Sequence, residues 1–363
     1  MLFRSEENDT TTPNIDSIIN KLEKKKKSSK QNDIYNFEFK IYITRVGTYL
    51  YTKNKPQKLL KKISNYFIIR IKNIMGFIET TNNFYYIKNS NDEKLYIPRF
   101  GCFLLKKKFK NLIIINKIQK QNPIPSINWV GSFKGNQEIV YNFILNNQFS
   151  EQNINNGNSG LILNLEAGQG KTFVAMSLIS YLKCRTIIVV HNTTILVQWK
   201  ELLEQYFPNL KIGYYYGKEK VYGDVIITII NSLCLNKKIF KNKEFRDNKD
   251  FFNHIDFCIF DECHEYCAKK RSKIFRDCQT PFMLGLSATP NEEENKLSAI
   301  IRWNIGPILH ADKLDGYSVE NINFKGKVTA LKYLGPANFT KNIINATTEL
   351  TSVPLMIEQL TRD

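Results

Sequence analysis

The chain has 363 residues, 42% of them hydrophobic, which is enough to bury the cores of two domains of ordinary size. It contains no run of 18 apolar residues and no signal-peptide pattern at its start, so no membrane contact is expected. Its seven cysteines show no paired spacing, which predicts an intracellular, reducing compartment.

The positive charge is unevenly distributed along the chain. The formal net charge is +18, and residues 1–130 carry +15 of it, whereas the remainder carries +3. A basic region of this kind favours a polyanionic partner, most simply nucleic acid. The alternative is a solubility effect combined with the Lys, Asn and Ile bias of an AT-rich genome.

The first third of the chain divides into an arm and a small module. Residues 1–33 are polar and contain a run of four lysines, Lys24–Lys27, so they predict a disordered basic arm. Residues 34–125 predict a small α+β module, with an alternating strand from Phe37 and a basic amphipathic helix over 58–69. Its aromatic and basic side chains suit either a nucleic-acid surface or a small core.

From Trp129 onward, short apolar runs alternate with helical patterns. This alternation predicts an α/β domain over residues 129–315, built on a parallel sheet with helices on both faces. Ligands of such sheets bind at the carboxyl ends of the strands. The predicted strands are 161–165, 186–190, 224–230, 256–260 and 282–286.

A glycine-spaced loop follows the first of these strands. Gly168 and Gly170 allow backbone N–H groups to turn inward around an anion, and a helical pattern starts at Phe173. Lys171 then suits the β- and γ-phosphates of a nucleotide, and the Thr172 hydroxyl suits Mg²⁺. The predicted ATP-binding residues of the loop are Leu165, Glu166, Ala167, Gly168, Gln169, Gly170, Lys171 and Thr172. Leu165 stands where the general pattern has its first glycine.

Two further strand ends carry chemistry. Asp261 and Glu262 follow a buried apolar strand, where Asp261 suits a Mg²⁺ ligand and Glu262 suits a general base that activates water. Ser287 and Thr289 follow another strand in Gly285-Leu-Ser-Ala-Thr-Pro290, and their hydroxyls can hydrogen-bond the Asp261–His264 segment. We therefore predict that Lys171, Asp261 and Glu262 are catalytic, and that these hydroxyl residues transmit the state of the nucleotide.

The three motifs together resemble the first motor domain of a superfamily 2 helicase, a RecA-like P-loop NTPase domain. The box Asp-Glu-Cys-His, with Leu-Val-Gln-Trp199 and Ser-Ala-Thr-Pro, is similar to the XPB-like branch and to the poxvirus-type DNA helicases of large DNA viruses. The resemblance implies ATP and Mg²⁺ as cofactors, with DNA a better candidate than RNA. It implies further site residues: Gln137 for adenine; His264, Ser287, Ala288 and Thr289 for coupling; and His191, Gln198, Asn231 and Ser232 for the nucleic-acid backbone. Trp199 suits either stacking on a base or packing behind its helix.

The resemblance also indicates what the chain does not show. Motors of this family use a second RecA-like domain that supplies arginine fingers, and no motif of that domain is visible. Residues 316–363, with one strand-like run at 328–333, are expected to be a linker toward that domain. The chain is therefore expected to be the first half of a motor.

Our hypothesis is an ATP-dependent superfamily 2 DNA helicase or translocase. The alternative is an ATP-responsive nucleic-acid-binding protein that does not hydrolyse ATP. A nuclease subunit would need a cluster of carboxylates that the sequence lacks. The viral resemblance suggests transcription machinery or a second motor half as partners, and the virion or host cytoplasm as the location.

Overall fold

The computed structural model describes residues 35–72, 76–89, 92–217, 219–235, 251–290 and 297–318, which all fall in one compact unit. The predicted basic arm, nearly all of the predicted linker and the run at 328–333 lie outside the described residues. In the part of the chain that is described, no helix is long and apolar enough to cross a membrane.

The first third of the described chain forms a five-stranded sheet and a separate two-stranded hairpin. The elements are β1 (Phe39–Thr44), β2 (Gly47–Tyr51), α1 (Gln57–Tyr66), β3 (Ile68–Lys72), β4 (Ile78–Asn82), β5 (Tyr85–Lys88), β6 (Glu93–Ile97), α2 (Gly101–Lys108) and β7 (Leu112–Asn116). The order of the sheet is β5-β6-β2-β1-β7, and β3 and β4 form the hairpin. Strand β1 pairs antiparallel with β2 and parallel with β7.

The rest of the described chain forms a large sheet flanked by helices. It begins with α3 (Gln137–Phe143), which runs into a π-helical turn, and with α4 (Glu151–Asn156). The sheet region then comprises β8 (Gly160–Asn164), α5 (Lys171–Leu182), β9 (Thr186–Val190), α6 (Thr193–Tyr206), β10 (Ile212–Tyr216), β11 (Glu219–Val221), β12 (Val225–Ile229), α7 (Ile230–Leu235), β13 (Phe257–Asp261), β14 (Phe282–Ser287), α8 (Ser298–Asn304) and β15 (Ile308–His310).

The order of the large sheet is β11-β10-β12-β9-β13-β14-β8-β15, and every neighbouring pair except β10–β11 is parallel. The predicted α/β class with a parallel sheet is confirmed. Each of the five predicted strands of this sheet corresponds to an observed strand, shifted by at most one residue at either end. The predicted helix at 58–69 ends early, because Ile68 and Ile69 begin β3.

Three strands outside this set, β10, β11 and β15, were not predicted. Strands β10 and β15 lie outside the central strands of the sheet, and β15 is only three residues long. The central strands are buried on both faces and read as continuous apolar runs, whereas β10 alternates between buried and half-buried residues. The apolar runs therefore revealed the centre of the sheet and not its flanks.

The buried residues form two apolar clusters, and neighbouring residues of one strand, such as Ile162 and Leu163, belong to different clusters. One cluster also contains Phe39, Ile41 and Leu50 from the five-stranded sheet. The small amino-terminal module thus shares a continuous core with the large sheet. The predicted boundary near residues 126–128 stays a prediction.

Two arginines of the amino-terminal module, the buried Arg99 and the half-buried Arg45, bind the large-sheet region. Arg99 is 1% exposed and donates hydrogen bonds to the backbone oxygens of Gly157, Thr280 and Pro281. Burial lowers the pKa of Arg99 to about 10, so the guanidinium stays charged at neutral pH. A charged donor that satisfies three buried carbonyls has no apolar substitute.

The second arginine makes an ion pair. Arg45 bonds the carboxylate of Asp256, and its Nη1 donates to the oxygen of Ile255 at 2.7 Å. Asp256 is buried directly before β13 and also accepts from the backbone N–H of Gln121 at 2.7 Å. The start of β13 is therefore held by contacts from the amino-terminal region of the chain.

We expect Arg99→Ala to lower the free energy of unfolding by about 3 kcal/mol, because three buried carbonyl oxygens lose their donor. Urea unfolding of the full chain measures the change. Arg70→Ala, an exposed position on β3, is the matched control and should change stability by about 0.5 kcal/mol or less. Equal effects at both positions would contradict the anchoring role of Arg99.

Candidate active site

The loop between β8 and α5 has the backbone geometry of an anion site. Gly168 and Gly170 have φ angles of +77° and +86°, in the left-handed region that glycine tolerates without strain. Helix α5 begins directly after the loop, at Lys171, so its first N–H groups and its positive dipole end point toward the loop. The loop can therefore hold phosphate oxygens mainly through its backbone.

Gln137 packs directly against this loop. Its Nε2 lies 3.5 Å from the backbone oxygen of Gln169, and its Oε1 accepts from the N–H of Lys134 at 3.0 Å. A Cβ on Gly170 would come within 2.0 Å of the Gln137 amide nitrogen, so only glycine allows this approach. The structure thus brings the predicted adenine-binding residue next to the predicted phosphate loop.

Asp261 is the last residue of β13 and is 9% exposed. One carboxylate oxygen accepts from the indole Nε1 of Trp199 at 2.7 Å, and the other accepts from the backbone N–H of Glu262 at 3.0 Å. Burial raises the pKa of the Asp261 carboxyl above its ordinary value, and the indole hydrogen bond lowers it part of the way back. Each oxygen keeps a lone pair for a further ligand.

Glu262 has a left-handed backbone, with φ 47° and ψ 54°. This conformation costs about 1 kcal/mol or more for a residue that is not glycine, and such strain concentrates at functional sites. Its carboxylate lies 3.8 Å from Lys171 Nζ and 3.4 Å from His264 Nδ1. The turn at Glu262 thus directs its carboxylate toward the side-chain amine of Lys171, the first residue of α5.

The predicted coupling residues form a chain of contacts behind this pair. Ser287 is fully buried, its hydroxyl lies 2.9 Å from His264 Nδ1, and it accepts from the backbone N–H of Thr289 at 3.1 Å. The backbone oxygen of Ser287 accepts from the N–H of Leu165, the first residue of the phosphate loop. Ala288 lies half-buried between Ser287 and Thr289.

The predicted nucleic-acid residues follow two other strands of the same sheet. His191 follows β9 and lies half-buried, and Gln198 is exposed on α6. Asn231 is exposed and Ser232 half-buried on α7, directly after β12. Strands β9 and β12 are neighbours, so these residues share one edge of the sheet with the loop, while the roles given to them stay predictions.

Sequence reasoning missed the contact between Trp199 and Asp261. Trp199 is 2% exposed, so it packs inside the protein and does not present its ring to a base. Its position in the Leu-Val-Gln-Trp run marked it as notable, but nothing in the pattern shows that an indole on α6 reaches a carboxylate at the end of β13. The contact joins the helix that carries Gln198 to the predicted metal ligand.

Among the described residues there is no group of three or more His, Cys, Asp or Glu side chains placed to hold a metal ion. Mg²⁺ in nucleotide sites is commonly held by one or two carboxylates together with substrate phosphates. Asp261 with the Thr172 hydroxyl, which lies at the start of α5, fits that arrangement. The donor set present is therefore suitable for a nucleotide-bound Mg²⁺.

The chain is similar to several known proteins. Residues 132–292 match the family model described as Type III restriction enzyme, res subunit. Two viral proteins named "Putative ATP-dependent RNA helicase" are similar: QP509L of African swine fever virus (isolate Pig/Kenya/KEN-50/1950) at 30% identity, and L396 of Acanthamoeba polyphaga mimivirus at 26%. The first match covers 55% of this chain and 37% of QP509L, and the second covers 69% of this chain and 43% of L396.

A cellular relative and a solved structure are also similar. The DNA 3'-5' translocase XPB2 of Sulfurisphaera tokodaii is 28% identical over 159 residues, which cover 42% of this chain and 32% of that protein. The crystal structure of the UvsW helicase from bacteriophage T4 aligns with a TM-score of 0.48 at 14% identity, covering 76% of this chain and all of that one. The chain spans less than half the length of these curated relatives. By its motifs and its matches the chain resembles the superfamily 2 helicases, and the proteins it is similar to include a translocase named XPB2 and helicases of large DNA viruses.

Proposed function

We propose that this chain binds Mg·ATP at the loop after β8 and couples its hydrolysis to movement along nucleic acid. The convergence of Lys171 and Glu262, 3.8 Å apart at the carboxyl edge of the sheet, carries this proposal. The pair combines a cation for the transferred phosphate with a carboxylate able to accept a proton from water. The names of the relatives, which describe ATP-dependent helicases and a translocase, support it.

Each residue then has a defined part. The loop backbone and Lys171 hold the β- and γ-phosphates, and Gln137 reads the adenine beside the loop. Glu262 orients the attacking water and takes its proton. Asp261 and Thr172 would hold a bound Mg²⁺, which would supply neutralisation of phosphate charge. His264, Ser287 and Thr289 link Glu262 to the phosphate loop, which is the arrangement a coupling element needs.

Which nucleic acid the chain moves along, DNA or RNA, is a further part of the proposal. We favour DNA, in keeping with the XPB2 translocase, whose name specifies DNA. The viral relatives are named for RNA, so RNA is the competing substrate. We further propose an intracellular site of action, with transcription machinery or a second motor half as partner. A second motor half could supply an arginine finger, and such a finger in trans can raise turnover by 10³–10⁵-fold in comparable phosphoryl transfer.

The direct experiment is ATP turnover by the full chain, measured alone and with duplex DNA, single-stranded DNA or RNA. We expect turnover that nucleic acid stimulates and that Lys171→Ala abolishes, because the amine contacts the transferred phosphate. Lys107→Ala, an exposed lysine on α2, is the control and should leave turnover unchanged. Mg·ATP binding without any turnover would indicate the non-hydrolysing alternative, and absence of ATP binding would refute the proposal.

Glu262→Gln should reduce ATP turnover by about 100-fold or more, because an amide cannot accept the proton of the attacking water. The dissociation constant for the nucleotide should stay within about threefold of that of the unmodified chain, since the side chain keeps its shape. The matched control is Glu265→Gln, three residues further along the chain and exposed, where the carboxylate pairs with Arg271. Similar turnover in both variants would show that Glu262 is not the base.

Trp199→Phe removes the hydrogen bond from the Asp261 carboxylate while keeping an aromatic ring in the core. That bond lowers the pKa of Asp261, so its loss should raise the pKa further and weaken cation binding as the pH falls. We expect the half-saturating Mg²⁺ concentration for nucleotide binding to rise about 10-fold, and the loss of binding in acid to begin at a higher pH. The control is Trp303→Phe, a tryptophan buried on α8. An unchanged Mg²⁺ dependence would contradict this role of the indole.

A further inference from the structure

A basic cleft lies apart from the ATP site, where the β3–β4 hairpin of the amino-terminal module meets the large-sheet region. We call it the junction cleft. Its volume is about 210 Å³, and its lining includes Lys269, Lys273, Arg276, Thr80, Asn82 and Asn83. The three cations come from the segment after the Asp-Glu-Cys-His box, and the hydroxyl and amide groups come mainly from β4 and the residue after it.

The charge of the junction cleft is of one sign. No carboxylate is among its lining residues, and the cleft is formed by lysine, arginine, threonine, serine and asparagine. In the described part of the chain, no carboxylate forms an ion pair with Lys269, Lys273 or Arg276 within 4.0 Å. Lysine, arginine, hydroxyl and amide groups are the side chains that contact phosphate and sugar oxygens in nucleic-acid complexes.

The position of Arg276 is supported by aromatic rings. Its guanidinium lies 4.8 Å from the ring centroid of Tyr85, and Tyr85 stacks on Tyr96 with centroids 4.8 Å apart and planes within 4°. Tyr85 and Tyr96 belong to β5 and β6 of the amino-terminal module. A cation held over a ring keeps its charge available for an anion while its position is restricted.

The junction cleft adjoins the edge where nucleic acid is predicted to bind. The short helix α7, which carries Asn231 and Ser232, packs against the Arg271–Arg276 segment. The Sγ atom of Cys234 on α7 lies 3.8 Å from the backbone oxygen of Lys270. A strand that contacts the end of β12 therefore has a basic surface next to it, leading from α7 to the β3–β4 hairpin.

The size of the cleft argues against an enclosed small molecule. Pockets for such ligands measure roughly 300–1,000 Å³ and are mostly apolar. The junction cleft is smaller and polar, which suits one or two phosphate groups of a longer ligand whose remaining parts stay outside.

We propose that the junction cleft binds the phosphodiester backbone of the same nucleic-acid strand that lies over α7. This inference rests on the proposed function in taking nucleic acid as the ligand, and it assigns to the amino-terminal module a direct part in holding the track. The contacts are made to phosphates, so the cleft extends the footprint without reading sequence.

The test measures oligonucleotide affinity by fluorescence anisotropy, with the full chain, without nucleotide and across a series of salt concentrations. The test variant is Lys269→Gln with Lys273→Gln, and the matched control is Lys58→Gln with Lys61→Gln, two exposed lysines of α1 that carry the same charge change. Thermal unfolding and ATP turnover without nucleic acid check that each variant is folded.

We expect the dissociation constant of the test variant to rise about 10-fold near 0.1 M salt. The slope of log K against log salt should become shallower by roughly 1.5, because two phosphate contacts each contribute about 0.7 to 0.9. The control should show the same slope as the unmodified chain. The variant Lys269→Arg with Lys273→Arg should bind with the affinity of the unmodified chain, since arginine retains both charges.

Three results would overturn the proposal. An unchanged slope in the test variant, or an equal loss in the control, would show that the cleft lysines make no particular contact; nucleic acid would still bind and the proposed function would stand. ATP turnover in a chain that binds no nucleic acid would refute the junction cleft together with the proposed track, while leaving the ATP site intact.

Discussion

The parallel pairing of the central strands decides where every proposed functional group lies. Asp261 pairs with Leu286 and Ser287 pairs with Asn164, so β13, β14 and β8 end within about one residue of each other. Because parallel strands all point the same way, their following loops meet at one edge. The phosphate loop, the carboxylates and the Ser-Ala-Thr turn therefore come together although some 120 residues separate the first from the last. A slip of register would separate Lys171 from Glu262.

The same sheet divides this edge between two proposed tasks. Strands β8, β14 and β13 present the groups proposed to bind the nucleotide, while β9 and β12 present those proposed to bind the nucleic acid. Trp199 connects the two groups of strands. It lies on α6, the helix after β9, and donates a hydrogen bond to the carboxylate of Asp261 at the end of β13. His264 and Ser287 make the second connection, from Glu262 back to the phosphate loop. The Trp199–Asp261 hydrogen bond is buried and the His264–Ser287 contact is partly buried, so breaking the first would leave a polar group unsatisfied in the interior.

The amino-terminal module packs against this arrangement and bonds to it. Its apolar core is continuous with one face of the large sheet, and Arg99 and Arg45 satisfy buried groups of that region. Asp256, the partner of Arg45, stands just before β13, the strand that ends in Asp261. A parallel sheet needs cover on both faces, and here part of the cover is a second sheet of the same chain. The junction cleft lies where this cover meets the sheet region, so a nucleic-acid contact there would involve the same compact unit as the proposed ATP site.

The sequence by itself determined the class of the fold and the five central strands, and it predicted the residues of the proposed ATP site, because buried parallel strands are continuous apolar runs and the motifs stand directly after them. It also carried the resemblance to superfamily 2 helicases, through the order of those motifs. Only the tertiary structure decided the strand order, the flanking strands, the left-handed turn at Glu262, the contact of Trp199 with Asp261, and the anchoring by Arg99. Each of these joins residues that are distant in the chain or depends on a backbone angle, and local composition records neither. A single arginine or tryptophan in a sequence can have many structural roles. Which role it has depends on the buried group to which its side chain donates a hydrogen bond.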